Sequence, residues 1–342
     1  MNVLVTGATG FVGAQLCRAL VERGHAVRAF HRATSNLTLI ADLPVEHIVG
    51  DLTQPETIAA AMQNVDAVFH TAAQMGGSGS DHPGRMYTVT VEGTRSVLQA
   101  ALEAGVGRVV YTSSVAALGV PEQAQTNRRQ AAMLAMDERH TWNFRPDFWP
   151  YGYAKYLAEL EVQKAVTLGL DVVIVNPTVV FGPGDVYRQD SSIIMQVAHR
   201  KVNILVEGGL NAVHILDVVD GQLAALGCGR RGERYILGGE NLTHQDLVRK
   251  IAGVVGAPVP PLVLPGELVR AAAGPLRLLE SFLDLPISAS DMHMAGYHFY
   301  YDTRKAQVEL GLLPPRPVEE AIKRAYEWFK QPQGLISLPA LN

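Results

Sequence analysis

Eight residues near the N-terminus constrain this chain more than any other stretch: Thr6-Gly7-Ala8-Thr9-Gly10-Phe11-Val12-Gly13. Residues 3–6 before them form a short apolar, β-branched run with strand character. Residues 12–23 after them place Val12, Leu16, Ala19 and Leu20 on one helical face. Gly24 supplies a stop, and residues 26–30 return to strand. Glycine triplets are common, but one held between a strand and a helix makes a phosphate-cradling turn. Its glycines allow a tight turn, a close backbone approach to a pyrophosphate and close helix–strand contact. The following helix offers unpaired N–H groups to the anion. The stretch therefore predicts a dinucleotide site built from Gly7, Thr9, Gly10, Phe11, Val12 and Gly13.

The alternation continues down the first half. Residues 45–49 read as a strand ending at Gly50-Asp51, and 55–62 as a helix with Thr53 as its expected N-cap. Residues 67–70 and 109–112 are short apolar strands separated by a helix near 91–104. A helix follows Tyr153 to about Leu168, and 172–175 is again a strand. Strands entered this regularly after helices predict an α/β chain, a Rossmann-type doubly wound parallel sheet covered on both faces. The second half is less regular, with a helix over 214–226, a strand over 235–237 and a closing helix over 318–329 among Pro- and Gly-rich pieces. The expected organisation is a dinucleotide-binding domain over 1–177, completed by parts of 211–238. A smaller, discontinuous substrate domain takes 178–210 and 239–320, and a closing helix with a tail spans 318–342.

Charge and cysteine usage narrow the function. A formal net charge of -4 argues against a nucleic-acid groove. Cys17 and Cys228 are isolated thiols, suggesting a reducing compartment without a disulfide framework or a metal cluster. His82 and His293 have no metal-site spacing. The first strand runs straight into the glycine loop and leaves no room for a leader peptide, so a cytoplasmic location is expected. No apolar run reaches membrane-spanning length. Residues 260–282, the longest apolar region, read as a pair of helices over a core or a pocket, with a membrane-surface or partner-binding face as the other reading.

Cofactor choice turns on the end of the second strand. A NAD site usually carries Asp or Glu about 20 residues beyond the glycine loop, where this chain has Phe30-His31-Arg32. Arg32 suits a 2′-phosphate, which favours NADP over NAD, while its ordinary reading is a surface cation. His31 either lies against the adenine or caps the strand. Asp51 is placed to accept from the adenine amino group.

Tyr151 and Lys155 stand four apart at the start of a helical run, on one face. An ammonium beside a phenol favours the phenolate and lowers its pKa from about 10. Such a tyrosine serves as general base in oxidation and general acid in reduction. Ser114, after the strand over 109–112, is placed to hydrogen-bond the same substrate oxygen; Ser113 is its one-residue rival. Each residue alone has a bland role: Tyr151 an interface aromatic, Lys155 a solvated helix lysine, Ser114 a helix cap. Tyr153 competes as the phenol but has Leu157 where a lysine is needed.

With these residues in view, the chain resembles the extended short-chain dehydrogenases/reductases, the NAD(P)-dependent epimerase/dehydratase family. Thr6 to Gly13 resembles the nucleotide loop, Gly50-Asp51-Leu52 the adenine-binding step, and Phe69-His70-Thr71-Ala72-Ala73 the segment beneath the cofactor ribose. Tyr111-Thr112-Ser113-Ser114 resembles the serine strand and Tyr151-Gly152-Tyr153-Ala154-Lys155 the tyrosine–lysine motif. Asn176-Pro177 with Phe181-Gly182-Pro183-Gly184 resembles the entry to the substrate domain, and the match extends through Val213 to Asp217 and Asp302 to Gly311. Residues 233–247 look most like the sugar-epimerase-like proteins associated with hopanoid synthesis. The resemblance implies Ser114, Tyr151 and Lys155 as catalytic residues. It adds Leu52, Thr71, Ala72, Ala73 and Pro177 to the cofactor site and Asn176, with Ser114, to the substrate site. Lys155 would also hold the nicotinamide ribose. A homodimer through the helices near 91–104 and 153–168 is the family expectation.

Departures bear on substrate. Family dehydratases carry an Asp–Glu pair after the catalytic hydroxyl, where this chain has Val115 and Ala116, so dehydration by that route is disfavoured. The arginine that holds a sugar diphosphate in epimerases is here Leu210, and the usual asparagine of the helix after Tyr87 is Thr90. A polyanion needs its charge paired or solvated. Residues 124–150 carry His140, Trp142, Phe144, Phe148 and Trp149, which read either as interdomain packing or as an apolar pocket wall. The first expectation is an NAD(P)-dependent epimerase-like oxidoreductase working through a transient keto intermediate on a nucleoside-diphosphate sugar. Its rival is an NADPH-dependent carbonyl reductase or alcohol dehydrogenase on a less charged molecule. A non-catalytic NAD(P)-binding regulator is the third class, disfavoured because Ser114, Tyr151 and Lys155 occur together.

Overall fold

The computed structural model describes residues 1–74, 83–122, 135–186, 192–277, 292–331 and 338. Its strands are β1 (Asn2–Thr6), β2 (Ala26–His31), β3 (Glu46–Val49), β4 (Ala67–His70), β5 (Arg108–Thr112), β6 (Val172–Pro177), β7 (Val179–Phe181), β8 (Ile204–Val206), β9 (Gly209–His214), β10 (Arg234–Leu237), β11 (Glu240–Thr243), β12 (Leu262–Leu264) and β13 (His298–Phe299). Seven of them form one sheet in the order β3-β2-β1-β4-β5-β6-β10, every neighbouring pair parallel.

The apolar runs of these strands bury both faces, as a parallel sheet between helices requires. Alternate residues serve opposite cores. Val3, Val5, Ala29, Phe69, Val110 and Val173 face the helices Phe11–Glu22 and Ile215–Cys228, whereas Leu4, Phe30, Val68, Val109 and Val172 face Pro55–Ala61, Gly93–Glu103 and Pro150–Thr167. The strand order reverses between β1 and β4, which opens a crevice at their carboxyl ends. The glycine loop follows β1, Thr71 follows β4, and the two serines follow β5, so chain direction alone delivers them to that edge.

A second sheet has the order β11-β9-β13, with β7 also on β9; β11 runs antiparallel to β9 while β7 and β13 run parallel to it. The short strands β8 and β12 pair separately. No described helix is long and apolar enough to cross a membrane.

Local expectations needed correction at four places. The Pro55–Ala61 helix is capped at Gln54, not Thr53, whose N–H and hydroxyl both turn to the Asp51 carboxylate at 2.9 Å. The helix expected after Tyr153 begins at Pro150, because proline suits the first helical position. The helix expected from His214 starts at Ile215, with His214 Nδ1 capping it by accepting from Leu216 N–H at 3.0 Å. The apolar region 260–282 opens with the three-residue strand β12 before the helix Gly266–Arg277, so it begins with a strand and not a helix. Its residues 278–282 lie outside the described residues, as do His82, 124–134 and all of the tail beyond Gln331 except Leu338.

Candidate active site

The glycine loop is built by close contact. Gly7 adopts φ +69°, and a Cβ there would lie 2.8 Å from the backbone of Ala72. A Cβ on Gly13 would lie 2.1 Å from the Gly7 carbonyl oxygen. Gly10 caps the Phe11–Glu22 helix without a side-chain bond, and no acid stands in the first turn. The first N–H groups of a twelve-residue helix therefore face the crevice with no competing carboxylate. Backbone access of this kind fits a dinucleotide pyrophosphate. Thr71 Oγ1 donates to the Thr6 carbonyl at 2.6 Å and Ala72 N–H to Thr6 Oγ1 at 3.4 Å, locking the β4 loop, which continues to Ala73, against the glycine turn. Gln15 ties the helix to the Pro183 carbonyl at 3.0 Å.

Beneath the loop lies a buried polar chain. His70 Nδ1 shares a hydrogen bond with Thr6 Oγ1 at 2.7 Å and Nε2 one with Thr94 Oγ1 at 3.0 Å. Burial, reinforced by the Lys155 ammonium, lowers His70 to about 3, so its ring stays neutral. Thr90, where an asparagine was expected, accepts from Gln74 N–H at 3.4 Å and from Thr94 Oγ1 at 2.6 Å.

At the end of β2, His31 is nearly buried; its Nδ1 meets the Arg32 carbonyl at 3.0 Å and its Nε2 meets His47 at 3.1 Å. The Arg32 side chain is exposed. Asp51 directs one carboxylate oxygen to Thr53, and Leu52 is buried in the core on the helix side of β4.

Tyr151 occupies the first turn of the Pro150–Thr167 helix, half-buried among Met86, Tyr87 and Val91. Lys155, one turn later, is 2% exposed and donates from Nζ to the Thr112 carbonyl at 2.9 Å, with its ammonium 5.2 Å from the Tyr111 ring centre. Burial lowers Lys155 to about 8, opposed by the Glu159 carboxylate. The two serines part company. Ser113 Oγ is buried and donates to Glu159 Oε1 at 2.5 Å, whereas Ser114 keeps partial exposure and accepts from Ala116 N–H at 3.2 Å.

Asn176 is fully buried, and its amide donates to the Ser114 carbonyl at 3.0 Å and to Glu159 at 2.7 Å. That geometry braces the backbone of Ser114 from behind. Pro177 is buried beside it at the end of β6. The Glu159–Arg234 pair in this network was missed in the sequence, although a glutamate one turn after Lys155 was visible there.

The aromatic segment closes over this end of the helix. Trp142 lies 5.6 Å from Tyr153, 6.2 Å from Tyr156 and 6.1 Å from Trp149, ring centre to ring centre. Trp149 in turn meets Phe299 of β13 at 5.7 Å, and Phe148 stacks on His293 at 3.7 Å. Val115 and Ala116 are buried, and Leu210 is a half-buried residue of β9. A charged cavity of about 780 Å³ is lined by Arg234 and not by Tyr151, and its cations are engaged by neighbours such as Glu309, Glu233 and Asp302. Among the described residues no group of acids, histidines and cysteines could hold a metal.

Residues 3–238 match the model of the NAD dependent epimerase/dehydratase family. The chain belongs to that family. Its NAD(P)-dependent oxidoreductase character follows from this membership. Similar family proteins include a putative dihydroflavonol 4-reductase of Synechocystis sp., 36% identical over 335 residues, covering 95% of this chain and 94% of the relative. Sterol demethylase protein B of Methylococcus capsulatus is 34% identical over 349 residues, covering 98% and 100%. The crystal structure of gox2253 superposes with a TM-score of 0.82 at 36% identity, covering 96% of this chain and 97% of that one.

Proposed function

We propose that this protein interconverts a secondary alcohol and a ketone on an uncharged, largely apolar substrate, with NADP as the favoured cofactor. The observation that carries the reading is the half-buried aromatic array of Trp142, Trp149, Tyr153 and Phe299 beside the tyrosine–lysine helix. Flat rings of this kind bury apolar area and offer no charge to a polyanion. Leu210, where a diphosphate-binding arginine would stand, points the same way. The relatives named for a dihydroflavonol and a sterol support an uncharged ring system. The nucleotide-sugar epimerase expectation has less support, for the same reasons.

Gly7, Gly10 and Gly13 with the following helix N-terminus would hold the pyrophosphate, Asp51 the adenine, and Arg32 a 2′-phosphate. The nicotinamide, when bound, supplies or accepts the hydride. In reduction the Tyr151 hydroxyl gives its proton to the carbonyl oxygen as that oxygen becomes an alkoxide; in oxidation the phenolate takes the proton back. Lys155 would steady the phenolate from one turn away and hold the nicotinamide ribose, and Ser114 would donate to the reacting oxygen.

Steady NADPH consumption with a panel of alkyl, cyclic and fused-ring ketones tests this reading. Turnover of a nucleoside-diphosphate sugar without net cofactor consumption, and of no ketone, would overturn it.

A further inference from the structure

One carboxylate stands at the centre of the buried network around the tyrosine–lysine helix. Glu159 follows Lys155 by one helical turn on the buried face. It is 0% exposed, yet donors reach it from three strands: Ser113 Oγ beyond β5 at 2.5 Å, Asn176 Nδ2 on β6 at 2.7 Å and Arg234 Nε on β10 at 2.7 Å. Arg234 continues to the carbonyls of His140 at 3.2 Å and Glu138 at 3.5 Å, in the segment that carries Trp142. A carboxylate this far from water persists only when its charge is paired. Ser113 and Asn176 both donate to Oε1, while Oε2 accepts no hydrogen bond and is met by the Arg234 ion pair.

We infer that Glu159 is a positioning residue: its charge keeps Lys155 an ammonium and, through Arg234, ties the tyrosine–lysine helix to the aromatic segment. The inference rests on the alcohol–ketone reading of the same site. The groups facing Lys155 are the Thr112 carbonyl and Tyr111 ring from β5, His70 from β4, and Tyr151 and Glu159 from its own helix. Those facing Glu159 are Ser113, Asn176, Arg234 and Tyr111. Burial keeps His70 neutral and pushes the Tyr111 phenol up, so neither supplies a negative charge near neutral pH. The Glu159 carboxylate supplies it. Without that charge Lys155 loses its proton at lower pH, and the alkaline fall in turnover moves down with it.

The test compares the full-length wild type, Glu159→Gln and the double variant Glu159→Gln/Arg234→Gln in NADPH-driven reduction of cyclohexanone, 2-decanone and a 3-ketosteroid across the alkaline range. Glu159→Gln is expected to move the alkaline limb of kcat/KM down by about one pH unit, a tenfold change in proton affinity. The double variant removes the partly buried arginine that Glu159→Gln leaves without its carboxylate. It is expected to recover the melting temperature while its limb stays shifted. An unshifted limb in Glu159→Gln, or a double variant that regains the wild-type limb together with its stability, overturns the inference in favour of a purely structural pair. If the wild type reduces none of these ketones, the alcohol–ketone reading falls by itself. The pH dependence of NADPH binding, followed by nicotinamide fluorescence, then reads the Lys155 limb, and identical profiles for wild type and Glu159→Gln overturn the inference.

Discussion

The ammonium of Lys155 donates to the Thr112 carbonyl oxygen at 2.9 Å, across the edge where β5 ends beneath the tyrosine–lysine helix. A buried cation lowered to about 8 is poised to change charge near the working range. Lys155→Met is expected to lower kcat for ketone reduction by about a hundredfold or more, and Tyr151→Phe by at least as much. Steady-state rates with folded variants check this; full turnover in Tyr151→Phe would remove the tyrosine from the chemistry.

A Cβ on Gly13 would sit 2.1 Å from the Gly7 carbonyl, where the backbone has nowhere to go. Gly13→Ala is expected to weaken NADPH binding by about a hundredfold, roughly 3 kcal/mol, and to lower the melting temperature. Gly227→Ala meets nothing within 4 Å and is the control. It should leave binding unchanged and stabilise by about 0.5–1 kcal/mol. Calorimetric titration with thermal melts reads both.

Arg32 projects from the end of β2, with its N–H held by Ser35 Oγ at 3.2 Å and its carbonyl by His31. Arg32→Ala is expected to weaken NADPH about tenfold and NADH hardly at all, as the loss of one charge-assisted phosphate contact predicts. Because the side chain is exposed, rising salt should shrink the difference. Equal losses for the two cofactors would take the 2′-phosphate away from Arg32.

Phe299 on β13 meets the Trp149 ring edge to face. Phe299→Ala is expected to raise KM for a fused-ring ketone about tenfold, with NADPH affinity and kcat near wild type. A fall in kcat with unchanged KM would assign the aromatics to packing.

Two buried histidines make stability depend on acid. His70 is lowered to about 3 and His214 to about 4, in each case chiefly by burial. Both return to about 6.5 on unfolding, so the unfolded chain binds more protons between those values. Their contribution is fully present above about pH 6.5 and is lost as pH falls towards 4 and then 3. Urea unfolding between about pH 7 and about pH 5 should lose up to about 1.4 kcal/mol per pH unit for each histidine. His70→Gln should flatten that slope, and an unchanged slope would mean that His70 carries a charge in the folded protein.

Much of the frame was legible because it is local. The strand–glycine–helix unit, the apolar runs of β1, β4 and β6 and the helix Val318–Phe329 all declare themselves by spacing within about one element. Short elements outside the periodic stretches were not: β7, β8, β11 and β13 have two to four residues, too few to show a period, and β12 was absorbed into a helix by its apolar neighbours. Pro150 as a helix start was equally visible, but Tyr153, three residues later, drew the boundary inward.

Sequence alone determined the fold class, the dinucleotide turn and the tyrosine–lysine spacing, since each depends on residues within a few turns of one another. Only tertiary structure decided which serine keeps an exposed hydroxyl, because Ser113 is claimed by a glutamate 46 residues away that the β5 register brings within 2.5 Å. It also decided that Asn176 braces the site from behind and that Arg234 reaches Glu159 from the far edge of the sheet. A parallel sheet stacks the ends of distant strands side by side, and hydrogen bonds follow that adjacency whatever the distance along the chain.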